Sequence, residues 1–216
     1  MKIVGLIASL LVGFISAAQN SYYFSAPLSV TETNNARISP KYFGTYSSLD
    51  QPSQYEVSAK GIILVSTNIS SISRETVRES SKYTVRNGFI LGVLKNDSIP
   101  CILKDDYYFF GVQNKEIIVG HGSKNILTQI DDFGNYIINN FEKGTYIPMK
   151  ITFNNSQFSI SYFDYETDTK SFKFINEQTS APSENLNVVV LSPSEKETKR
   201  LFKNNLFGDS KTFNKI

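Results

Sequence analysis

Apolar and polar residues alternate in short runs along most of the chain, and residues that favour reversals separate the runs. In Tyr55–Ser66 two such runs flank Ala59-Lys60-Gly61. In Tyr83–Val93 they flank Asn87-Gly88, a pair that tolerates the positive φ of a type I′ turn and so marks a hairpin. Residues 107–120 divide near Gln113-Asn114-Lys115, and residues 149–175 reverse at Asn154-Asn155 and again near Thr167-Asp168. β-Branched and aromatic side chains fill the runs, as a half-buried pleated surface requires. From Tyr42 onward the pattern predicts antiparallel hairpins in series.

Three stretches depart from this alternation. Ser73–Glu79 follows the strand-like Ile62–Val65 and has helical composition. Ser123 leads Ile126, Leu127, Ile130 and Phe133 at helical spacing, with Gly134 as a stop. Ser192-Pro193-Ser194-Glu195 reads as a capping box, in which Ser192 and Glu195 each bond the other's backbone and Pro193 takes the first helical position. Leu201 and Phe202 give that helix an apolar side and Gly208 ends it. The expected fold is mainly β, with antiparallel hairpins in a barrel-like or curved sheet and two or three short helices, α+β being the alternative. The last helix, at about 193–206, packs on the sheet. Strand–helix–strand units recur at unequal spacings, which is not the fixed period of a solenoid.

The N-terminus has a different character. Lys2 precedes an apolar run, Ile3–Ile15, which ends in Ser16-Ala17-Ala18. A positive start, a short apolar core and small residues describe a secretory signal peptide, cleaved after Ala18. The run falls short of the roughly 20 residues a bilayer-spanning helix needs. Residues 19–41 are polar, carry Pro27 and Pro40, and read as an arm before a single β-rich domain at 42–216. Export, to a periplasm or to the medium, is the expectation, with no membrane span after processing.

Charge and cysteine usage narrow the partners. The chain has 22 basic and 20 acidic residues, a net of +2 that falls to +1 when Lys2 leaves with the signal. Nucleic-acid binding relies on clustered Lys and Arg, and no such cluster exceeds Glu197–Lys203. Cys101 is the single cysteine, so no disulfide staples the chain and the 16 Phe and 12 Tyr must supply the core. Acceptor triplets at Asn68, Asn96 and Asn154 matter only in a glycosylating host.

Gly-Thr-Tyr occurs twice, at 44–46 and 144–146. Gly44-Thr45-Tyr46 resembles the Gly-x-Trp opening of lipocalin-type barrels, with Tyr46 in place of the Trp. The family's other loop signatures have no counterpart here. Both copies read as bends where the chain joins a sheet.

Candidate chemistry is sparse. His121, the lone histidine, lies between Gly120 and Gly122 and two residues before Ser123, so a hydrolase with His121 as base is one reading. No Gly-x-Ser-x-Gly elbow accompanies it. Cys101, among Ile99, Ile102 and Leu103, reads as a packed apolar residue. Asp164, Glu166 and Asp168 alternate as in a calcium loop, but Ile175 stands where an EF-hand needs its distal Glu, and alternation places them on one solvated strand face. One His and one Cys make transition-metal sites poor, and no cofactor is expected. The aromatic strands offer more: Tyr46, Tyr108, Phe110 and Tyr162, together with His121, are the candidate ligand-binding residues. The favoured expectation is a non-enzymatic binder of an apolar small molecule, a glycan or a protein of the envelope. A structural or assembly component is the remaining class.

Overall fold

The computed structural model describes residues 20–29, 36–49, 51–95, 98–163, 172–182, 187–203 and 206–216. The signal peptide with its Ala18 cleavage point, residues 30–35 of the arm, Asn96, the Thr167-Asp168 turn and the acidic group at 164–168 lie outside the described residues. In chain order come β1 (Asn20–Phe24), a 3-10 turn (Pro40–Tyr42), β2 (Gly44–Ser48), β3 (Gln51–Ser58), β4 (Gly61–Ser73) and α1 (Arg74–Glu79). Then follow β5 (Thr84–Arg86), β6 (Phe89–Leu91), β7 (Ser98–Lys104), β8 (Tyr107–Gly120), β9 (Ile126–Gln129) and β10 (Asn135–Glu142). The chain continues through β11 (Thr145–Phe153), β12 (Gln157–Phe163), β13 (Gln178–Pro182), β14 (Asn187–Leu191), α2 (Glu195–Lys203) and β15 (Phe207–Lys215). The fold is mainly β.

The described strands make one mixed sheet in the order β13-β14-β1-β11-β12-β15-β2-β3-β4-β8-β7-β6-β5, with β10 and β9 branching from the other edge of β11. All ladders are antiparallel except β1 on β14. The sheet wraps but is not closed into a barrel. Its wrapping follows from the main core, which joins the β9–β10 branch to strands far along the path: Ile62 and Val119 of β4 and β8 pack with Leu127 and Tyr136 of β9 and β10. At the centre Phe158 touches four rings, Phe153 at 5.0 Å, Tyr55 at 5.2 Å, Tyr46 at 5.7 Å and Phe213 at 6.0 Å between centroids.

The reverse face of β10–β12 carries a second core. Ile137, which points away from Tyr136 and Ile138, packs there with Phe24, Leu191 and Leu201 of β1, β14 and α2. A strand covered on both faces reads as a continuous apolar run, and Tyr136-Ile137-Ile138 is one. Asn139 is its polar exception, fully buried, accepting from the Leu28 N–H at 2.7 Å and donating to the Leu28 carbonyl at 3.2 Å. It anchors the arm. A third, small core (Ile90, Ile99, Phe110 with Val77 of α1) lies where β4 and β8 run on beyond the body to join β5–β7.

Several sequence expectations hold and others are corrected. Asn87 and Gly88 turn with φ of 51° and 79°, Ala59-Lys60 joins β3 to β4, and both Gly-Thr-Tyr copies open strands. Ser73 caps α1, accepting from Thr76 N–H at 3.0 Å. The helix expected after Ser123 is instead strand β9: Leu127 enters the main core while Ile130 packs on the second, the alternation of a strand laid between two cores. No turn forms at Gln113–Lys115, because β8 runs unbroken along the full length of β4. The reversal is at Asp105-Asp106, both at positive φ. The C-terminal helix is capped two residues later than expected, by Ser194 and Glu197, whose carboxylate accepts from Ser194 N–H at 2.8 Å. Ser192 is held elsewhere, its N–H on Glu177 O at 3.0 Å and its hydroxyl 2.8 Å from that of Ser25. The segment after the helix is β15, inserted between β12 and β2.

Two outcomes follow from this core. Phe158→Ala, which removes the ring shared by four others, lowers unfolding free energy by about 3–5 kcal/mol in urea titration. Burial raises the phenol pKa of Tyr46 and Tyr55, with Tyr42 adding to the first and Tyr162 and Glu116 to the second. The unfolded chain releases these protons near the ordinary value of about 10, before the folded chain does. Stability is therefore complete below about pH 10 and declines above it. Urea midpoints from pH 8 to 11 should show that decline, shallower in Tyr55→Phe.

Candidate functional site

The two ends of the wrapped sheet meet without pairing. β8 stops at Gly120, the chain turns through His121–Asn125, and β9 pairs only β10 among the described residues. The side chain of Asn125 holds the two sides of this seam together. Its amide donates to Ile118 O of β8 at 2.7 Å and to Asn140 Oδ1 at 3.1 Å, and its oxygen accepts from Phe141 N–H of β10 at 2.8 Å. Ser123 supports the loop, its hydroxyl accepting from Asn125 N–H at 3.1 Å.

At the same end β4 and β8 cross closely. Gly61 has φ of 122°, and a Cβ there would lie 1.9 Å from Val119 O; Gly120 has φ of 134°, and a Cβ there would lie 2.0 Å from Lys60 O. Only glycine fits either place. The arm covers the opening from the other side: Ala36 N–H donates to Leu127 O at 2.9 Å, and the turn at Pro40–Tyr42 carries Phe43 over it.

Between these pieces lies a cleft of about 710 Å³, within the usual range for small-molecule sites. Ile38, Val119 and Leu127 are its buried apolar lining, with Phe43 half-buried beside them. Arg37, Lys60 and His121 line its exposed margin, and Ser123 and Asn125 add polar groups. None of the lining residues carries a carboxylate. The arrangement provides an apolar interior, two exposed cations at the margin and the polar side chains of Ser123 and His121.

The five residues singled out from the sequence do not come together. His121 lines the cleft. Tyr46 is fully buried in the ring core, donating to Tyr42 O at 2.7 Å. Tyr108 and Phe110 stand on β8 beyond the body, Phe110 inside the small third core. Tyr162 is half-exposed on β12, with Lys211 Nζ 5.8 Å from its ring centre. Cys101 pairs with Phe110 across the β7–β8 ladder, and burial raises its thiol pKa. Arg37, Ile38, Phe43, Lys60 and Asn125 escaped sequence reasoning. They are far apart along the chain, and among the residues that line the cleft only His121, between Gly120 and Gly122, stood out in the sequence.

No protein-family model matches the chain, and neither does any curated protein or solved structure.

The seam can be tested directly. Asn125→Ala leaves Phe141 N–H and Ile118 O without their partner and is expected to cost about 1–3 kcal/mol. Gly61→Ala adds the Val119 clash to a positive-φ strain and should lower the thermal midpoint further than Gly88→Ala, whose Cβ meets nothing within 4 Å.

Proposed function

We propose that this chain is an exported, non-enzymatic binding protein whose seam cleft takes an apolar small molecule bearing an anionic head. The observation that carries the reading is the division of the cleft: Ile38, Phe43, Val119 and Leu127 offer apolar surface, and Arg37 and Lys60 stand at its margin with no lining carboxylate to neutralise them. Burying the apolar body of a ligand contributes roughly 25 cal/mol per Å². A carboxylate or sulfonate head then meets guanidinium and ammonium donors in charge-assisted hydrogen bonds. The signal-like N-terminus supports export.

A hydrolase with His121 as base is the second reading. The shared presence of His121 and Ser123 in the cleft favours it. Oriented imidazole catalysis ordinarily adds a third group that fixes the ring.

A dansyl-labelled fatty acid distinguishes these readings. Saturable fluorescence enhancement is expected. It should weaken at least about tenfold in Arg37→Gln/Lys60→Gln, as loss of charge-assisted bonds predicts, and also in Leu127→Ser. Binding that ignores all three substitutions overturns the reading. Ester hydrolysis abolished by His121→Ala would replace it with the hydrolase.

A further inference from the structure

The outer extension of the sheet leaves one face bare. Register places Ile69, Phe109, Ile102, Pro100 and Phe89 on a single side of β4, β8, β7 and β6. The pairs Ser71 with Phe109, Ile102 with Phe109, and Phe89 with Pro100 fix the side, and Ile69 is two residues from Ser71. The opposite side is the one covered by α1, where Phe110, Ile99 and Ile90 pack with Val77. On the bare side Ile69 and Ile102 are each 74% exposed, and Phe109 and Phe89 each keep more than a third of their surface in water. Contiguous apolar exposure of this kind marks an interaction surface.

Charge identifies the occupant. Arg86 pairs directly with Phe89 and Lys104 with Tyr107, so both cations stand on the same side as the apolar set. Neither has an ion-pair partner among the described residues. Glu56 is held by Lys115 at 3.0 Å, and Asp106 lies 4.0 Å from Arg74 of α1, which among the described residues of this side leaves Asp105 at the turn without such a partner. A second copy docked face to face would bring, among the described residues, two unpaired cations and one unpaired carboxylate from each side, an excess of positive charge at the contact. Side chains on one side of a ladder project outward, as insertion between lipid headgroups requires, and cations beside them suit an anionic surface.

We infer that this face is a peripheral docking surface for an anionic lipid bilayer, with Ile69, Ile102, Phe109 and Phe89 entering the interface and Arg86 and Lys104 at headgroup level. The surface lies on the sheet's extension and is independent of the seam cleft.

The test is co-sedimentation of the full chain with phosphatidylglycerol–phosphatidylcholine vesicles at low salt, against vesicles of phosphatidylcholine alone. Binding to the anionic vesicles is expected, at least about tenfold weaker in Arg86→Gln/Lys104→Gln, and lost in Ile69→Ser/Ile102→Ser. Both of those isoleucines are exposed, so circular dichroism should be unchanged. Lys196→Gln on α2 should bind as the parent does. Absence of binding, binding indifferent to the isoleucine pair, or equal weakening by Lys196→Gln overturns the inference. A dimer in sedimentation velocity that Ile102→Ser dissolves assigns the face to a second copy and overturns it equally.

Discussion

A sheet that wraps round its own rings without completing its ladder leaves one seam, and that seam governs the rest of the molecule. Backbone pairing would have sealed β8 to β9. Instead a single amide side chain, Asn125, bonds Ile118 on one side and Phe141 on the other. Because the bridge is a side chain, the strands can diverge beyond it, and a space opens that the arm at 36–43 roofs. The paired glycines at 61 and 120 let the flanking backbones approach more closely than any side chain would permit. Cleft and closure are therefore two consequences of one arrangement.

The three cores differ in what they contribute. The ring cluster around Phe158 sets the curvature, since aromatic pairs at 5–6 Å can be satisfied together only if the strands bearing them face a common centre. The second core presses β1, β14 and α2 onto the reverse of β10–β12, turning Ile137 inward where a simple barrel would face water. The third is too small to cover both sides of the strands it joins. This inequality separates a wrapped body, with its cleft, from an extension that shows apolar side chains to solvent. The proposed small-molecule site and the proposed lipid-facing surface thus occupy different parts of one continuous sheet, joined by β4 and β8.

Much of the strand content was legible in the chain, because alternation of side chains and reversal signals are local properties. Asn87-Gly88 specified its hairpin and Ser73 its helix cap without help from distant residues. Where local signals competed, packing decided. Ile126, Leu127 and Ile130 fit a helical stripe by spacing, yet two apolar layers flanking one strand also take residues from both of its faces. The sequence predicts Ser192 as the cap, but Ser192 bonds to Glu177 and Ser25 instead, and Ser194 caps the helix. Phe207–Lys215 looks too polar for a strand inside a sheet, but its backbone pairs along β12 and, at Asn214-Lys215, with β2, while Phe207 and Phe213 alone supply its buried rings.

The candidate site was legible in one residue. His121 drew notice because glycines flank it, whereas Arg37, Phe43, Lys60 and Asn125 gave no local sign. By itself the sequence determined a pleated, ring-filled chain with short capped helices, since hydrogen-bond geometry and side-chain alternation act between near neighbours. Only the tertiary structure decided which rings meet, where the ladder fails to close and which face stays bare. Those outcomes depend on contacts between residues tens to more than a hundred positions apart, as Asn139 is from Leu28, and no local pattern encodes them.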